Sequence, residues 1–189
     1  MNYSNVSPII NKVNGFMGSQ AQREFMFNLG KTTEKAAEIG SYKGLSAVIV
    51  LLGMLSSNRK IPPKYYCIDT FEASNKELEH ESTLQEFERV TNEIDKYEII
   101  QIVKGYSTDI ATIQQIPSEL DWIYIDGDHS TEAVIKDIKT YAPLIKENGL
   151  MLFHDYTWET VKKGIDYCEE KKYIQHLTDF DDFAIYKVI

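Results

Sequence analysis

Short apolar runs recur along the chain: AAEI at 36–39, YYCI at 65–68, EIIQIV at 98–103, WIYI at 122–125 and LMLF at 150–153. Runs this short, bounded by turn residues, predict buried strands. Between them, apolar positions recur at the spacing of amphipathic helices, over 45–55, roughly 76–94, 108–115, 131–141 and 158–170. Strands alternating with helices predict right-handed crossovers and a parallel sheet with helices on both faces. Burial on both faces explains why the strands read as unbroken apolar runs. The pattern changes at the end, where YIQHL (173–177) and FAIYKVI (183–189) are separated only by TDFDD. That link is too short for a crossover and predicts an antiparallel hairpin. The expected fold is α/β, with a seven-stranded, mostly parallel sheet and an antiparallel last strand.

The chain has 189 residues and no compositional shift or Ser/Gly/Pro-rich linker, so a single domain is expected. Residues 1–30 precede the alternating core at 31–189. The formal net charge of -9 provides no general attraction for phosphate backbones or anionic lipid, so neither nucleic acid nor membrane is expected as a partner. The stretch MNYSNVSPII has neither a basic leader nor a long apolar run, and a cytoplasmic protein is expected. Cys67 and Cys168 lie in apolar or amphipathic patterns without metal-like spacing, which predicts buried free thiols. Residues 72–97 form the most charged segment, read as a solvated helix in preference to a lid.

Chemistry gathers where strands end. After the run at 36–39 the sequence GSYKG turns directly into a helix, and Gly40 and Gly44 suit a tight turn and a close approach. The pattern is E-x-G-x-x-x-G rather than the G-x-G-x-x-G that cradles a pyrophosphate, which points to a nucleoside without phosphates. Asp69 ends the next strand beside this loop, where an acid can accept hydrogen bonds from both ribose hydroxyls. Glu38 is the other acid at this edge.

EIGSYKG, CIDTFEA, KGYSTDIA, WIYIDGDHSTEAVIKDI and LIKENGLMLFHDY, in this order, resemble the class I S-adenosylmethionine-dependent methyltransferases. More narrowly the chain is similar to their small bacterial branch of catechol, macrolide-sugar and antibiotic O-methyltransferases. The resemblance runs from about Gly15 to the carboxyl terminus and implies a Rossmann-like core. It implies that the loop of Gly40, Ser41 and Gly44 holds the methionine part of S-adenosyl-L-methionine, with Glu38 near its amino group. It further implies that Asp69 holds the ribose, that Ser107, beside Tyr106, lies near the adenine, and that Asp126 borders the cofactor. A segment such as GFMGSQAQREF (15–25) helps to close the site in these enzymes. Here it lacks the tryptophan often found there. A homodimer is expected by resemblance alone.

Asp126 ends the fourth strand, and His154 and Asp155 end the fifth. On neighbouring strands these side chains would converge on one rim, where carboxylates suit a divalent cation that holds an acceptor hydroxyl and lowers its pKa. In the resembling enzymes the ligands are an acid ending strand four and an acidic or amide pair ending strand five. Asp126 and Asp155 match, whereas His154 replaces an acid and favours Mn²⁺, Fe²⁺ or Zn²⁺ over Mg²⁺. Asp128 and His129 are both candidates for the base that removes the acceptor's proton. A plain structural reading competes: Asp-Gly is a common turn, and 129–131 and 154–155 could simply start helices. The expected activity is metal-assisted O-methyl transfer to a small molecule such as a sugar, phenol or polyketide. Alternatives are a metal-independent methyltransferase using His129 or Asp128 alone, and a non-catalytic protein that binds the cofactor. A nicotinamide dehydrogenase fits less well, because the third glycine of its fingerprint is missing.

Overall fold

The computed structural model describes residues 2–15, 18–72 and 83–189. Two helices, α1 (Tyr3–Ile10) and α2 (Gln20–Thr32), precede the first strand. Each begins with a capping box, Asn2 with Asn5 and Ser19 with Gln22, which satisfies amide donors that a helix start leaves open. The boundary expected near residue 30 falls inside α2. The alternating part follows as β1 (Lys35–Ile39), α3 (Leu45–Leu55), β2 (Lys64–Asp69), α4 (Thr83–Asn92), β3 (Ile100–Lys104) and α5 (Ile110–Ile113). It continues with β4 (Leu120–Ile125), α6 (Thr131–Tyr141), β5 (Ile145–Phe153), α7 (Glu159–Glu170), β6 (Ile174–Phe180) and β7 (Phe183–Val188).

The helix expected over 108–115 is a single turn, because Pro117 and the GYST turn leave it no room to extend. The first part of the helix expected over 76–94, with His80, lies outside the described residues. The hairpin turn is tighter than TDFDD, since β6 continues to Phe180 and only Asp181 and Asp182 connect the strands.

The seven strands are ordered β3-β2-β1-β4-β5-β7-β6, with β7 antiparallel to both neighbours. The strand order reverses between the parallel neighbours β1 and β4, and that switch point opens the crevice in which ligands bind in such sheets. Ile39 pairs with Ile125, and Ile125 with Phe153, so the tips of β1, β4 and β5 lie level. One face of the sheet packs against α1, α2, α3 and α4 through Phe27, Val48, Leu51, Phe87 and Trp122. The other packs against α6 and α7 through Ile123, Ile138, Met151 and Ile165. Both cysteines are buried and unpaired in a disulfide. No helix among the described residues is long and apolar enough to cross a membrane.

Candidate active site

The glycine loop leaves β1 and crosses the switch point. Gly40 and Gly44 both have φ of 90°, a region that side chains rarely enter. A Cβ on Gly40 would lie 1.9 Å from the Asp126 carbonyl oxygen, so only glycine lets the β1 loop pass the end of β4. Gly44 is the N-cap of α3, where a Cβ would press on Phe87 and Val90 of α4. Between them Tyr42 holds φ of 44°, and its amide donates to Asp69 Oδ2 at 2.8 Å. Asp69 Oδ1 accepts from the amide of Phe71, itself at φ 53°. One carboxylate at the end of β2 thus secures two left-handed residues in adjacent loops. Gly15, Gly40, Ser41, Ser46, Tyr124 and Asp126 are among the residues lining a cleft here.

Glu38 is fully buried on the same sheet face as Cys67 and Tyr124, its partners across β2 and β4. Burial pushes its carboxyl above the usual range, against the hydroxyls of Ser41, Ser46 and Tyr65 and the thiol of Cys67. The Tyr65 hydroxyl donates to Glu38 Oε2 at 2.8 Å, while Glu38 Oε1 and Ser41 Oγ, both buried, have no hydrogen-bond partner among the described residues. Orphaned acceptors are costly unless a ligand donates to them. They lie where the resemblance places the amino group of the cofactor.

The second cluster joins β4 and β5. His154 Nδ1 is 3.4 Å from Asp126 Oδ1 and 3.2 Å from Asp155 Oδ2. His129 Nε2 is 2.9 Å from Asp155 Oδ2 and 3.6 Å from Asp126 Oδ1. Despite these separations, neither the His129 Nε2 nor either His154 nitrogen has a partner in hydrogen-bonding geometry among the described residues. Nitrogens and carboxylate oxygens that approach closely yet point past one another fit a shared central cation. Asp126, His154 and Asp155 supply donor atoms all within 4.8 Å of each other. Ligands about 2.1 Å from one ion at right angles lie about 3 Å apart, so the spacing suits a divalent metal with mixed nitrogen and oxygen donors.

Charge is closely balanced in this cluster. Burial pushes the Asp126 carboxyl up, but the imidazoles of His129 and His154 outweigh it and hold it below the usual range. Burial works against a charged His154, yet Asp126, Asp155 and Asp182 lift it to about 9. His129 is also raised, chiefly by Asp126 and by Asp155, against burial. Asp155 sits at φ 51°, a third left-handed residue at the rim.

The two candidate bases are placed differently. His129 faces the cluster with about a third of its side chain exposed, and its ring lies 4.9 Å from that of Trp158. Asp128 is exposed and accepts from the Ser130 amide at 2.8 Å, so it serves the turn that leads into α6. That bond and the Ser130 hydroxyl hold its carboxyl below the usual range.

Ser107 follows Tyr106, which is 64% exposed, on the loop after β3. Its hydroxyl donates to Asp137 Oδ1 at 2.6 Å. Several participants escaped sequence reasoning. Tyr124 donates to Asp126 Oδ2 at 3.1 Å, and the two-residue strand period already placed both on one face. Gln22, wholly buried, donates to Asp182 Oδ1 at 2.6 Å and ties α2 to the hairpin turn beside His154. Nothing in the local sequence signals that contact.

Comparison with known proteins bears on the family and the fold. A family described as Methyltransferase domain matches residues 37–156, from β1 through the rim of β5. An uncharacterized protein, R132, of Acanthamoeba polyphaga mimivirus is 29% identical over 140 residues, 68% of this chain and 56% of that one. The chain thus spans little more than half the length of that curated relative. Among solved structures, an O-methyltransferase from Bacillus cereus in complex with SAH superposes with a TM-score of 0.72 at 13% identity, covering 100% of this chain and 92% of its own. The SAH-bound methyltransferase PaMTH1 of Podospora anserina gives 0.71 at 16% identity, covering 98% and 94%.

Proposed function

Because the chain belongs to the methyltransferase-domain family, we propose that it transfers a methyl group from S-adenosyl-L-methionine to a hydroxyl of a small molecule, with help from a divalent cation. The observation that carries this reading is the level convergence of Asp126, His129, His154 and Asp155 beside the glycine loop at the switch point. The SAH complex of the Bacillus cereus O-methyltransferase supports the cofactor and the reaction class.

In this reading the Gly40–Gly44 loop accommodates the methionine end, and the free acceptors on Glu38 and Ser41 receive its ammonium protons. Asp69 takes the ribose and Ser107 borders the adenine. Asp126, His154 and Asp155 would hold the cation, which supplies charge that lowers the pKa of the acceptor hydroxyl. His154 gives up its proton in doing so, because a ligating imidazole must be neutral. His129 is the base: it borders the cluster, is partly open to solvent, and carries an imidazole, whose ordinary pKa lies near neutrality. Asp128 remains in its turn. Phenols, sugars and polyketide-type alcohols are the acceptor classes.

The test has two parts. Calorimetry of S-adenosylmethionine and its demethylated product should show micromolar binding, and labelled cofactor should pass its methyl group to a phenol or sugar acceptor. His129→Gln should preserve cofactor affinity and reduce turnover by roughly 10²–10⁴-fold, the usual contribution of a general base. Asp128→Asn should stay within about tenfold of the parent. Loss of turnover in Asp128→Asn with His129→Gln intact would reverse the assignment, and absence of nucleoside binding would remove the proposal altogether.

A further inference from the structure

α6 carries a buried acid that the proposed reaction does not use. Asp137 is 2% exposed, in the middle of the apolar stripe formed by Val134, Ile138 and Tyr141. A carboxylate in such a position is costly unless something specific engages it. What engages it is Ser107, whose hydroxyl donates to Asp137 Oδ1 at 2.6 Å. One turn further on, the Tyr141 hydroxyl donates to the carbonyl oxygen of the same Ser107 at 2.7 Å. Two side chains spaced i and i+4, and therefore on one helix face, grip a single loop residue by its donor and its acceptor.

We infer that Asp137 and Tyr141 are positioning residues for the adenine end of the cofactor pocket, acting through Ser107. The inference rests on the reading that Ser107 borders the adenine. The Gly105 amide donates to the Asp69 carbonyl oxygen at 2.9 Å and the Asp109 amide to that of Tyr106 at 3.1 Å, which shapes the loop on either side of Ser107 and leaves the Ser107 hydroxyl and carbonyl to α6. Gly105 lies at φ 155°, with Thr112 Oγ1 only 2.4 Å from where its Cβ would be, and Tyr106 projects into solvent. With Ser107 pinned at both polar groups, the backbone on either side of it is fixed before the nucleoside arrives, and less conformational freedom is lost on binding. The other end of α6 begins at the Ser130 N-cap, next to His129. From Thr131 to Asp137 the helix rises about 9 Å along its axis. One rigid helix therefore sets the distance between the base and the adenine loop.

The experiment measures SAH affinity by calorimetry and the unfolding midpoint for the full chain and for Asp137→Ala, Asp137→Asn, Asp137→Leu and Tyr141→Phe. Asp137→Ala should weaken SAH about tenfold or more, since Ser107 loses a charge-assisted hydrogen bond. Asp137→Asn, which still offers an oxygen to Ser107, should stay within about threefold of the parent, whereas Asp137→Leu, of similar size but without an acceptor, should weaken SAH as far as Asp137→Ala does, a loss that a merely space-filling role would not show. 5′-Methylthioadenosine should be weakened by the same factor as SAH, because the defect lies at the adenine end. Unchanged SAH affinity in a folded Asp137→Ala overturns the inference. Should that variant fail to fold, Tyr141→Phe decides: about threefold or greater loss supports the clasp and unchanged binding overturns it. A parent that binds no SAH would instead remove the proposed function.

Discussion

Single residues here are held in states that water would not favour, and Asp137 shows what such a state costs. Burial is the largest influence on its carboxyl, the Asp128 charge adds to it, and Ser107 opposes both; the result is a pKa of about 6 rather than the ordinary 3.8. The folded protein therefore disfavours the ionised form. Above about pH 6 the acid is charged in both folded and unfolded chains, and the full penalty, on the order of 3 kcal/mol, is present. As pH falls from about 6 towards 4, the folded chain takes up the proton first and the penalty disappears. Asp137→Asn has no such penalty. Urea unfolding of the two proteins should show the variant more stable at pH 7.5, with the gap closing by pH 4. A gap that stays constant across this range would mean that Asp137 is not perturbed in the fold.

At the scale of elements, close packing overrides local preference. α2 and α3 cross where Gly30 meets Gly53: a Cβ on Gly53 would lie 2.1 Å from the Phe27 carbonyl oxygen, and one on Gly30 would lie 2.6 Å from that of Val50. In an isolated helix, alanine exceeds glycine by about 1 kcal/mol. Overpacking against a backbone carbonyl costs about 1–3 kcal/mol, and the backbone cannot move aside as a side chain could. Gly53→Ala should therefore lower the unfolding midpoint despite its better helix propensity; a raised midpoint would show that the helices separate freely. The same balance explains which elements were legible in sequence. The limits expected for α3 and α6 agree with the structure, because their apolar spacing and their flanking turns indicate the same ends. α1 and α2 were not legible as helices: α1 contains Pro8, and α2 is mostly polar, stabilised by what α3 offers it. The acids and the imidazole at the ends of β4 and β5 were visible by position alone. The approach of His129 to Asp155 was not, since it depends on how the turn after Asp126 folds. Asp137 was readable in principle, as an acid amid the stripe of Val134, Ile138 and Tyr141, but its partner lies 30 residues away.

Across the whole molecule, the site draws on both halves of one continuous sheet. The glycine loop and Asp69 come from β1 and β2, and the rim cluster from β4 and β5. A ligand bound only by the folded state stabilises it by mass action, about 2.7 kcal/mol at a hundred times its dissociation constant. In a chain of this length that corresponds to roughly 5–10 °C in the unfolding midpoint. Since the cluster brings two carboxylates together at its centre, a cation should also remove repulsion between them. Mn²⁺ should accordingly raise the midpoint of the parent, and a chelator should reverse the rise. Asp155→Asn and His154→Ala should respond little, because each removes one donor from a set of three. Mg²⁺ should give a smaller rise than Mn²⁺, as the imidazole of His154 is a poor ligand for the harder ion. The shift with S-adenosylmethionine should survive both substitutions, since neither His154 nor Asp155 lines the cleft beside the glycine loop. A midpoint indifferent to millimolar Mn²⁺ would remove the cation and leave His129 to activate the acceptor alone.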